Sequence, residues 1–262
     1  MIDYKSKFCL TNKKIIVSGG AGLLGKEIVV ALAQFGAQVV IAETDKRKGK
    51  LLAKDLTNAG FDVGYYYFDL SDIKNLKNSI KKLIKSNGQF DAWINCAYPR
   101  TKDWNTKVEE FRYDSWQKNV DMQLNSYALS SIYAAESMKK KGGCIINFGS
   151  IYGVVGPDFN IYKKTKMTMP APYSAIKAGI INFDRYLASY FGRYNIRVNT
   201  ICPGGVFNKQ DHKFVRNYSQ KVPLKRMARP QEIVPTVVFL ACDAASYVTG
   251  ATIMVDGGWT AI

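Results

Sequence analysis

Short runs of apolar residues recur along the chain, and the segments between them carry apolar residues at helical spacing. The runs are typical of buried strands, and the longer segments are typical of amphipathic helices. The pattern predicts strands at 14–18, 37–43, 62–69, 91–97, 143–150, 196–202 and 251–256. It predicts helices at 22–35, 46–59, 72–86, 114–140, 172–194 and 230–242.

Strands and helices therefore alternate along the whole chain. Continuous apolar strands that alternate with helices imply a parallel sheet with helices on both faces. Because such crossovers are right-handed, we expect an α/β fold with a doubly wound sheet of the Rossmann type, with about seven strands. The 262 residues contain no internal repeat or linker, so residues 1–262 are predicted to form one domain.

The composition excludes several classes of protein. Hydrophobic residues make up 47% and charged residues 22%, which is typical of a soluble globular protein, and no run of 18 apolar residues predicts a membrane span. The first residues, MIDYKSKFCLTNKK, lack an apolar signal core, so a cytoplasmic location is expected. The five cysteines are scattered, which argues against disulfides and a zinc site, and no metal is predicted.

The formal net charge of +16 raises the question of an acidic partner. The lysines are dispersed along the chain and no aromatic-basic motif accompanies them, so nucleic acid is not expected. From the charge alone, a solvated basic surface and an anionic small substrate both remain open.

A glycine-rich turn, SGGAGLLG, follows the first strand and opens the first helix. Glycines there permit a tight turn, and the helix N-terminus presents unpaired N–H groups to a pyrophosphate. A tight turn without a ligand is the alternative. The candidate cofactor-binding residues of this turn are Ser18, Gly19, Ala21, Leu23, Leu24 and Gly25.

Glu43 lies at the end of the second strand, 24 positions beyond Gly19. A carboxylate there can accept hydrogen bonds from the adenosine ribose diol and repel a 2′-phosphate, which favours NAD over NADP. Lys46 and Arg47 follow closely and weaken that preference, and a surface charge is the alternative role of Glu43.

Tyr173 and Lys177 are four positions apart near the start of a predicted helix, so they share one face. A nearby cation lowers the pKa of a phenol, and such a tyrosine could exchange a proton with an alcohol or carbonyl. Ser150 stands at the carboxyl end of a central strand, where ligands bind in open α/β sheets, and its hydroxyl could bind the substrate oxygen.

Together these motifs resemble the short-chain dehydrogenase/reductase family, in its single-domain branch. The resemblance covers nearly the whole chain: SGGAGLLG, FDL at 68–70, NCAY at 95–98, FGS at 148–150, YSAIK at 173–177, ICPGGVFN at 201–208, and the ending RPQEIVPTVVFLACDAASYVTGATIMVDGG. It implies a nicotinamide-dependent dehydrogenase or reductase that transfers hydride between cofactor and a carbinol or carbonyl.

The resemblance also implies a role for each matching position. Ser150, Tyr173 and Lys177 match the catalytic residues, and Lys177 would also hold the nicotinamide ribose. Asp69 and Leu70 match residues that contact adenine. The other implied cofactor contacts are Asn95 and Ala97 on the adenosine side, and Pro203, Val206 and Asn208 at the nicotinamide carboxamide.

Four positions depart from the family pattern. The middle glycine of the phosphate turn is Leu23, and the NNAG motif carries Cys96 and Tyr98. The catalytic asparagine, which positions a water near the active-site lysine, aligns with Gln123. Glutamine carries the same amide one methylene farther out, so it could serve with adjusted geometry or slow the proton relay. These departures motivate an alternative function, a catalytically impaired cofactor-binding regulator or scaffold.

Three loops expected at the cleft are basic. An insertion at about 154–171 is predicted to form a lid and contains Lys163, Lys164 and Lys166; a substrate loop is predicted at about 204–223. The loop after the fourth strand adds Arg100 and Lys102. Because Arg and Lys bind phosphate and carboxylate strongly, we expect an anionic substrate, although loops in a strongly basic chain are basic in any case. The candidate substrate-binding residues are Arg100, Tyr152, Lys163 and Lys166.

Two segments, NCAYPRT and SIYGVVGPDFNIYKKTKMTMPAPYSAIKAGI, resemble a narrower subgroup found with bacterial polysaccharide and flagellin-modification genes. That resemblance implies a sugar phosphate, nucleotide sugar or sugar acid as substrate. The family commonly forms a homodimer or homotetramer through the two long helices, here about 114–140 and 172–194, and the same is expected of this chain.

Overall fold

The computed structural model describes residues 3–262, so the first two residues of the predicted domain lie outside it. It contains seven strands: β1 Lys14–Ser18, β2 Gln38–Glu43, β3 Val63–Tyr67, β4 Ala92–Asn95, β5 Gly143–Phe148, β6 Ile196–Pro203 and β7 Thr252–Val255. They form one parallel sheet in the order β3-β2-β1-β4-β5-β6-β7. The predicted doubly wound α/β fold of the Rossmann type is confirmed.

The α-helices are α1 Leu23–Gln34, α2 Lys46–Asn58, α3 Leu76–Asn87, α4 Tyr113–Val120, α5 Ser126–Met138, α6 Ala171–Phe191, α7 His212–Lys221 and α8 Val234–Ala241. Alternate strand residues point to opposite sides, so both faces of the sheet carry apolar side chains, and the helices cover both faces. Ile15 and Val17 of β1 belong to the core beneath α1, α2 and α8. Ile16 belongs to the core beneath α3, α5 and α6.

Two predicted segments differ from the structure. The single helix expected at 114–140 is divided into α4 and α5 by a π-helical segment, Asp121–Asn125, which contains Gln123. The predicted substrate loop at 204–223 contains helix α7, which the helical pattern did not reveal. Asp211 caps this helix by accepting a hydrogen bond from the Lys213 N–H at 2.7 Å. Its two buried residues, Phe214 and Tyr218, are one turn apart and find their apolar neighbours only in the tertiary structure.

A chain of buried polar side chains crosses the sheet beneath α5 and α6. Asn95 Nδ2 donates to Asn147 Oδ1 at 2.7 Å, and Asn147 Nδ2 donates to Asp184 Oδ1 at 2.6 Å. Thr200 Oγ1 donates to the other Asp184 oxygen at 2.5 Å. Burial raises the pKa of Asp184 to about 7, although the hydrogen bonds from Thr200 and Asn147 act in the opposite direction.

Replacing Asp184 by asparagine should flatten the dependence of stability on pH. An ordinary aspartate ionises near pH 4, whereas the folded chain holds the Asp184 proton up to about pH 7. The unfolded state therefore binds fewer protons between these pH values, and the free energy of unfolding falls as pH rises, by at most about 1.4 kcal/mol per pH unit. Denaturant titrations from about pH 4.5 to pH 8 would measure this slope.

The exposed Asp55 supplies the control for this measurement, because no ion pair among residues 3–262 includes its carboxylate. The Asp55→Asn curve should run parallel to that of the unmodified chain. A parallel curve for Asp184→Asn as well would show that the Asp184 carboxyl is ionised in the folded protein.

Candidate active site

A cavity of about 890 Å³ opens at the carboxyl ends of the central strands. This is the edge at which doubly wound sheets bind ligands, because the strand order reverses there. Most of the residues predicted for the site line it: Ser18, Gly19, Leu23, Leu24, Gly25, Glu43, Asp69, Leu70, Ala97, Arg100, Ser150, Tyr173, Lys177, Pro203, Val206 and Asn208.

The glycine-rich turn forms one end of the cavity. Gly19 has a φ of +69°, and a Cβ on it would lie 2.5 Å from the Ala97 Cα, so no larger residue fits without displacing the backbone. Gly22 is the N-cap of α1 and provides no capping side chain, which leaves N–H groups of the first helical turn for an anion. Leu23, where the family carries a glycine, is the first helical residue and is partly exposed at the cavity.

The Glu43 carboxylate lies beside this turn. One oxygen accepts hydrogen bonds from the N–H groups of Thr44 and Asp45, at 2.8 and 3.2 Å, and the other from the Ala21 N–H at 3.4 Å. These contacts hold the carboxylate in place at the cavity wall. Ala21 thus contacts Glu43 through its backbone and does not itself line the cavity.

Ser150, Tyr173 and Lys177 meet at the other end of the cavity. Ser150 follows β5 in an extended conformation, and Tyr173 and Lys177 lie in the first two turns of α6. Lys177 is 5% exposed, and its ammonium donates to the Phe148 carbonyl at 2.7 Å. A hydroxyl, a phenol and an ammonium can together bind a substrate oxygen and exchange a proton with it.

The titration behaviour of this end differs in one respect from the sequence-based expectation. Burial raises the pKa of Tyr173, and hydrogen bonding with Ser150 opposes that rise only in part. Burial also lowers the pKa of Lys177, to about 8. The pKa of Tyr173 in the chain by itself is therefore raised, where the sequence predicts a lowering by Lys177, because desolvation of the phenol outweighs its hydrogen bond with Ser150.

The sequence motifs did not predict a cluster of aromatic rings beside Tyr173. The rings of Tyr98, Trp104 and Tyr173 contact one another edge to face, with centroids 6.0 to 6.2 Å apart. Trp104 is buried, Tyr98 lines the cavity, and the Arg100 guanidinium stacks 5.4 Å from the Tyr98 ring centroid. The available signal was Tyr98 itself, which replaces the small glycine of the family at the mouth of the site.

Five other predicted residues do not line the cavity. Asn95 is fully buried in the polar chain below the sheet edge. Gln123 is 1% exposed, and neither of its side-chain amide atoms has a hydrogen-bond partner within residues 3–262. Tyr152 is buried against Trp259, and Lys163 and Lys166 are exposed. Asn95, Gln123 and Tyr152 are thus enclosed by the fold, and the two lysines face solvent.

The predicted lid packs on helix α7. Asp158 forms an ion pair with Lys221, and the Asn217 side chain donates to the Ile161 carbonyl at 3.2 Å. The rings of Tyr162 and Phe214 are 5.3 Å apart within a buried cluster. These contacts explain why the lid lysines face solvent.

Within residues 3–262, no group of three or more His, Cys, Asp or Glu side chains is placed to hold a metal ion. In the same part of the chain, no helix is long and apolar enough to cross a bilayer.

Comparison with known proteins gives the class. Residues 20–260 match the family model described as "Enoyl-(Acyl carrier protein) reductase". The chain is 32% identical over 253 residues to "Post-translational flagellin modification protein A" of Campylobacter coli, which covers 95% of this chain and 99% of the relative. It is 31% identical over 255 residues to "7alpha-hydroxysteroid dehydrogenase" of Bacteroides fragilis, with 95% of each chain covered.

A solved structure agrees with these relatives. The short-chain dehydrogenase from Leptospira borgpetersenii with bound NAD⁺ superposes with a TM-score of 0.83 and 34% identity, covering 99% of this chain and 97% of the other. The chain belongs to the short-chain dehydrogenase/reductase family of oxidoreductases. The resemblance drawn from its motifs is confirmed.

Proposed function

We propose that this protein transfers hydride between NAD and a carbinol or carbonyl of a small anionic sugar. The convergence of Ser150, Tyr173 and Lys177 at one end of a cavity whose other end is a glycine-rich turn carries this proposal. We place the reaction in the cytoplasm, in the synthesis of a bacterial surface glycan or a flagellin modification. The name of the Campylobacter coli relative supports that setting.

The residues present fit a dinucleotide. The Gly19 turn and the N-terminus of α1 would hold the pyrophosphate, and Glu43 would bind the adenosine ribose. The remaining contacts would come from Asp69 and Leu70 to adenine, from Ala97 on the adenosine side, from Lys177 to the nicotinamide ribose, and from Pro203, Val206 and Asn208 to the carboxamide. NAD is favoured over NADP because the Glu43 carboxylate, fixed by three backbone N–H groups, would repel a 2′-phosphate.

The chain's own residues would handle the proton. The bound nicotinamide supplies the hydride acceptor or donor and, when oxidised, a positive charge. In alcohol oxidation the Tyr173 phenolic oxygen takes the hydroxyl proton, and in carbonyl reduction it returns a proton to the carbonyl oxygen. Ser150 hydrogen-bonds the same substrate oxygen, and the Lys177 ammonium favours the ionised phenol.

The position of Arg100 supports the proposal that the substrate carries an acidic group. Among the described residues, Arg100 and the buried Lys177 are the two cationic side chains that line the cavity. No ion pair within residues 3–262 includes the Arg100 guanidinium. A carboxylate or phosphate there could accept two hydrogen bonds from the planar guanidinium. Lys163 and Lys166 would contribute only if the lid rearranged.

A ligand panel with an Arg100→Ala variant tests this function. Thermal shifts would compare NAD⁺ with NADP⁺, and then, with the better cofactor saturating, sugar phosphates, nucleotide sugars and sugar acids with neutral alcohols, including a hydroxysteroid. A ligand at about 100 times its Kd should stabilise the fold by about 2.7 kcal/mol. For an anionic substrate, Arg100→Ala should raise KM by about 10- to 100-fold, since a charged hydrogen bond contributes about 1.5–3 kcal/mol.

Lys102→Ala provides the matched control, because Lys102 is an exposed cation of the same loop that does not line the cavity. Its KM should stay within about twofold of the unmodified value. Shifts from neutral alcohols alone would contradict the anionic substrate. Stronger binding of NADP⁺ would contradict the role given to Glu43.

We also propose a homodimer or homotetramer built on α5 and α6. An exposed aromatic ladder on α6 supports this: the rings of Phe183, Tyr186 and Tyr190 stack in sequence, 5.7 and 6.2 Å apart. Tyr186 is 60% exposed, and a stack of exposed aromatic rings is typical of a surface that binds another protein chain.

A further inference from the structure

The ammonium of Lys177 lies among three tyrosine rings. Its Nζ is 5.5 Å from the ring centroid of Tyr127, 5.7 Å from that of Tyr173 and 5.8 Å from that of Tyr98. The ion is almost fully buried, and among residues 3–262 no carboxylate forms an ion pair with it. Apart from the Phe148 carbonyl, the aromatic faces are thus its main electrostatic support.

The other titratable groups that face Lys177 carry no charge near neutral pH. Cys202, on β6, and Cys96, after β4, are the titratable groups whose ionised forms would interact with its charge. Burial raises the pKa of Cys96 to about 12 and that of Cys202 to about 11. Both are neutral thiols near pH 7, so neither supplies an anion that could stabilise the Lys177 ammonium in place of the rings.

Each ring is held by the surrounding structure. The Tyr127 hydroxyl donates to the Ala97 carbonyl at 2.8 Å. Tyr98 rests on the buried Trp104, whose loop is attached to α4: the Asn119 side chain donates to Thr101 Oγ1 at 2.8 Å, and the Ser115 hydroxyl donates to Asp103 Oδ1 at 2.8 Å. The position of Tyr98 is therefore built into the fold, although its ring is 41% exposed at the cavity.

We propose that Tyr98 is a positioning residue of the active site, whose ring closes an aromatic cage that keeps the Lys177 ammonium charged and fixed beside Tyr173. The glycine that the family pattern carries at this position has no side chain to do this. The cage compensates for the burial of an ammonium without a counter-ion, and it leaves the charge available to the Tyr173 phenol. The inference rests on the proposed function only for the purpose of that charge.

The proton affinity of Lys177 tests the cage without turnover. Competitive acylation of the cofactor-free protein with acetic anhydride across a pH series, read by mass spectrometry, gives the pH at which Lys177 becomes reactive. Tyr98→Phe keeps the aromatic face and should leave this midpoint unchanged. Tyr98→Leu removes the aromatic face and should lower the midpoint by about half to one pH unit, because the charged form loses a cation–π contact.

Two further variants keep the test decisive. Pentafluorophenylalanine at position 98 retains the ring shape but reverses its quadrupole, so it should lower the midpoint as leucine does even if the leucine variant packs poorly. Tyr133 forms a Lys–Tyr pair with Lys77 outside the site. Tyr133→Leu removes that ring and should leave the labelling midpoint of Lys177 unchanged. An unchanged or raised midpoint in both the leucine and the pentafluoro variants would overturn the cage.

The pH profile of turnover connects the cage to catalysis. In the leucine variant, the pH at which kcat/KM falls on the alkaline side should decrease by the same amount as the labelling midpoint. A labelling shift without any turnover in the unmodified chain would retain the cage and reject the proposed function. Turnover with an alkaline limb that ignores Tyr98→Leu would reject the positioning role.

Discussion

Tyr173→Phe should lower kcat by about 1,000-fold while cofactor binding is retained. The change removes one oxygen atom, the proposed site of proton exchange, and general acid–base groups contribute about 10²- to 10⁴-fold to rates. The ring contacts with Tyr98 and Trp104 remain, so the cavity keeps its shape. Steady-state rates and the thermal shift with NAD⁺, measured on the same preparation, would separate chemistry from binding.

Tyr247→Phe is the control for this loss, since Tyr247 is a fully exposed phenol that does not line the cavity and should be silent. Retention of more than about a tenth of kcat in Tyr173→Phe would exclude the phenol as the main acid–base group. If a cellular function survived Tyr173→Phe untouched, the regulator or scaffold alternative would replace hydride transfer as the function.

Gly19→Ala should weaken cofactor binding by at least about 100-fold, which corresponds to about 3 kcal/mol. The added Cβ would lie 2.5 Å from the Ala97 Cα and 2.7 Å from its nitrogen, so the glycine-rich turn and the segment after β4 must separate. Backbone atoms on both sides leave no flexible side chain to yield. Titration of NAD⁺ against the folded variant, checked by circular dichroism, measures the effect.

Gly60→Ala isolates the cause of this effect. Gly60 also has a positive φ, +89°, but a Cβ on it meets nothing within 4 Å. It should lose only the stability that the left-handed conformation costs an alanine, about 1–2 kcal/mol, and keep its affinity for NAD⁺. Equal losses of affinity in the two variants would show that a general loss of stability, and not the contact between Gly19 and Ala97, is responsible.

Gln123 shows how far a family pattern extends to this chain. Its amide replaces an asparagine that positions a water near the active-site lysine in the family, yet both side-chain amide atoms are buried without a partner among residues 3–262. An unsatisfied buried polar group costs about 1–3 kcal/mol. The residue lies in a π-helical segment, a geometry that often marks functional sites and changes the direction of a side chain. Its role stays a proposal, in which the longer amide binds the water with adjusted geometry.

The hydrophobic pattern and the short motifs of the chain were sufficient to predict the sheet, the order of its elements and the residues at the two ends of the cavity. Strands such as β1 carry apolar residues on both faces and alternate with amphipathic helices, a pattern that indicates a parallel sheet covered on both sides. The glycine-rich turn, Glu43 and the Tyr173–Lys177 pair follow from local chemistry and short spacing. Such features need no knowledge of distant contacts.

Which side chains reach the cavity, and how their pKa values shift there, depends on contacts between residues that are far apart in the chain. Lys163 and Lys166 face solvent because the lid packs its apolar residues on α7, in a buried cluster that also includes Trp259. Tyr98 reaches Lys177 across about 80 positions of chain, and desolvation sets the pKa shifts of Tyr173 and Lys177. Burial and non-local packing arise only when the elements assemble, and periodicity along the chain carries no record of them.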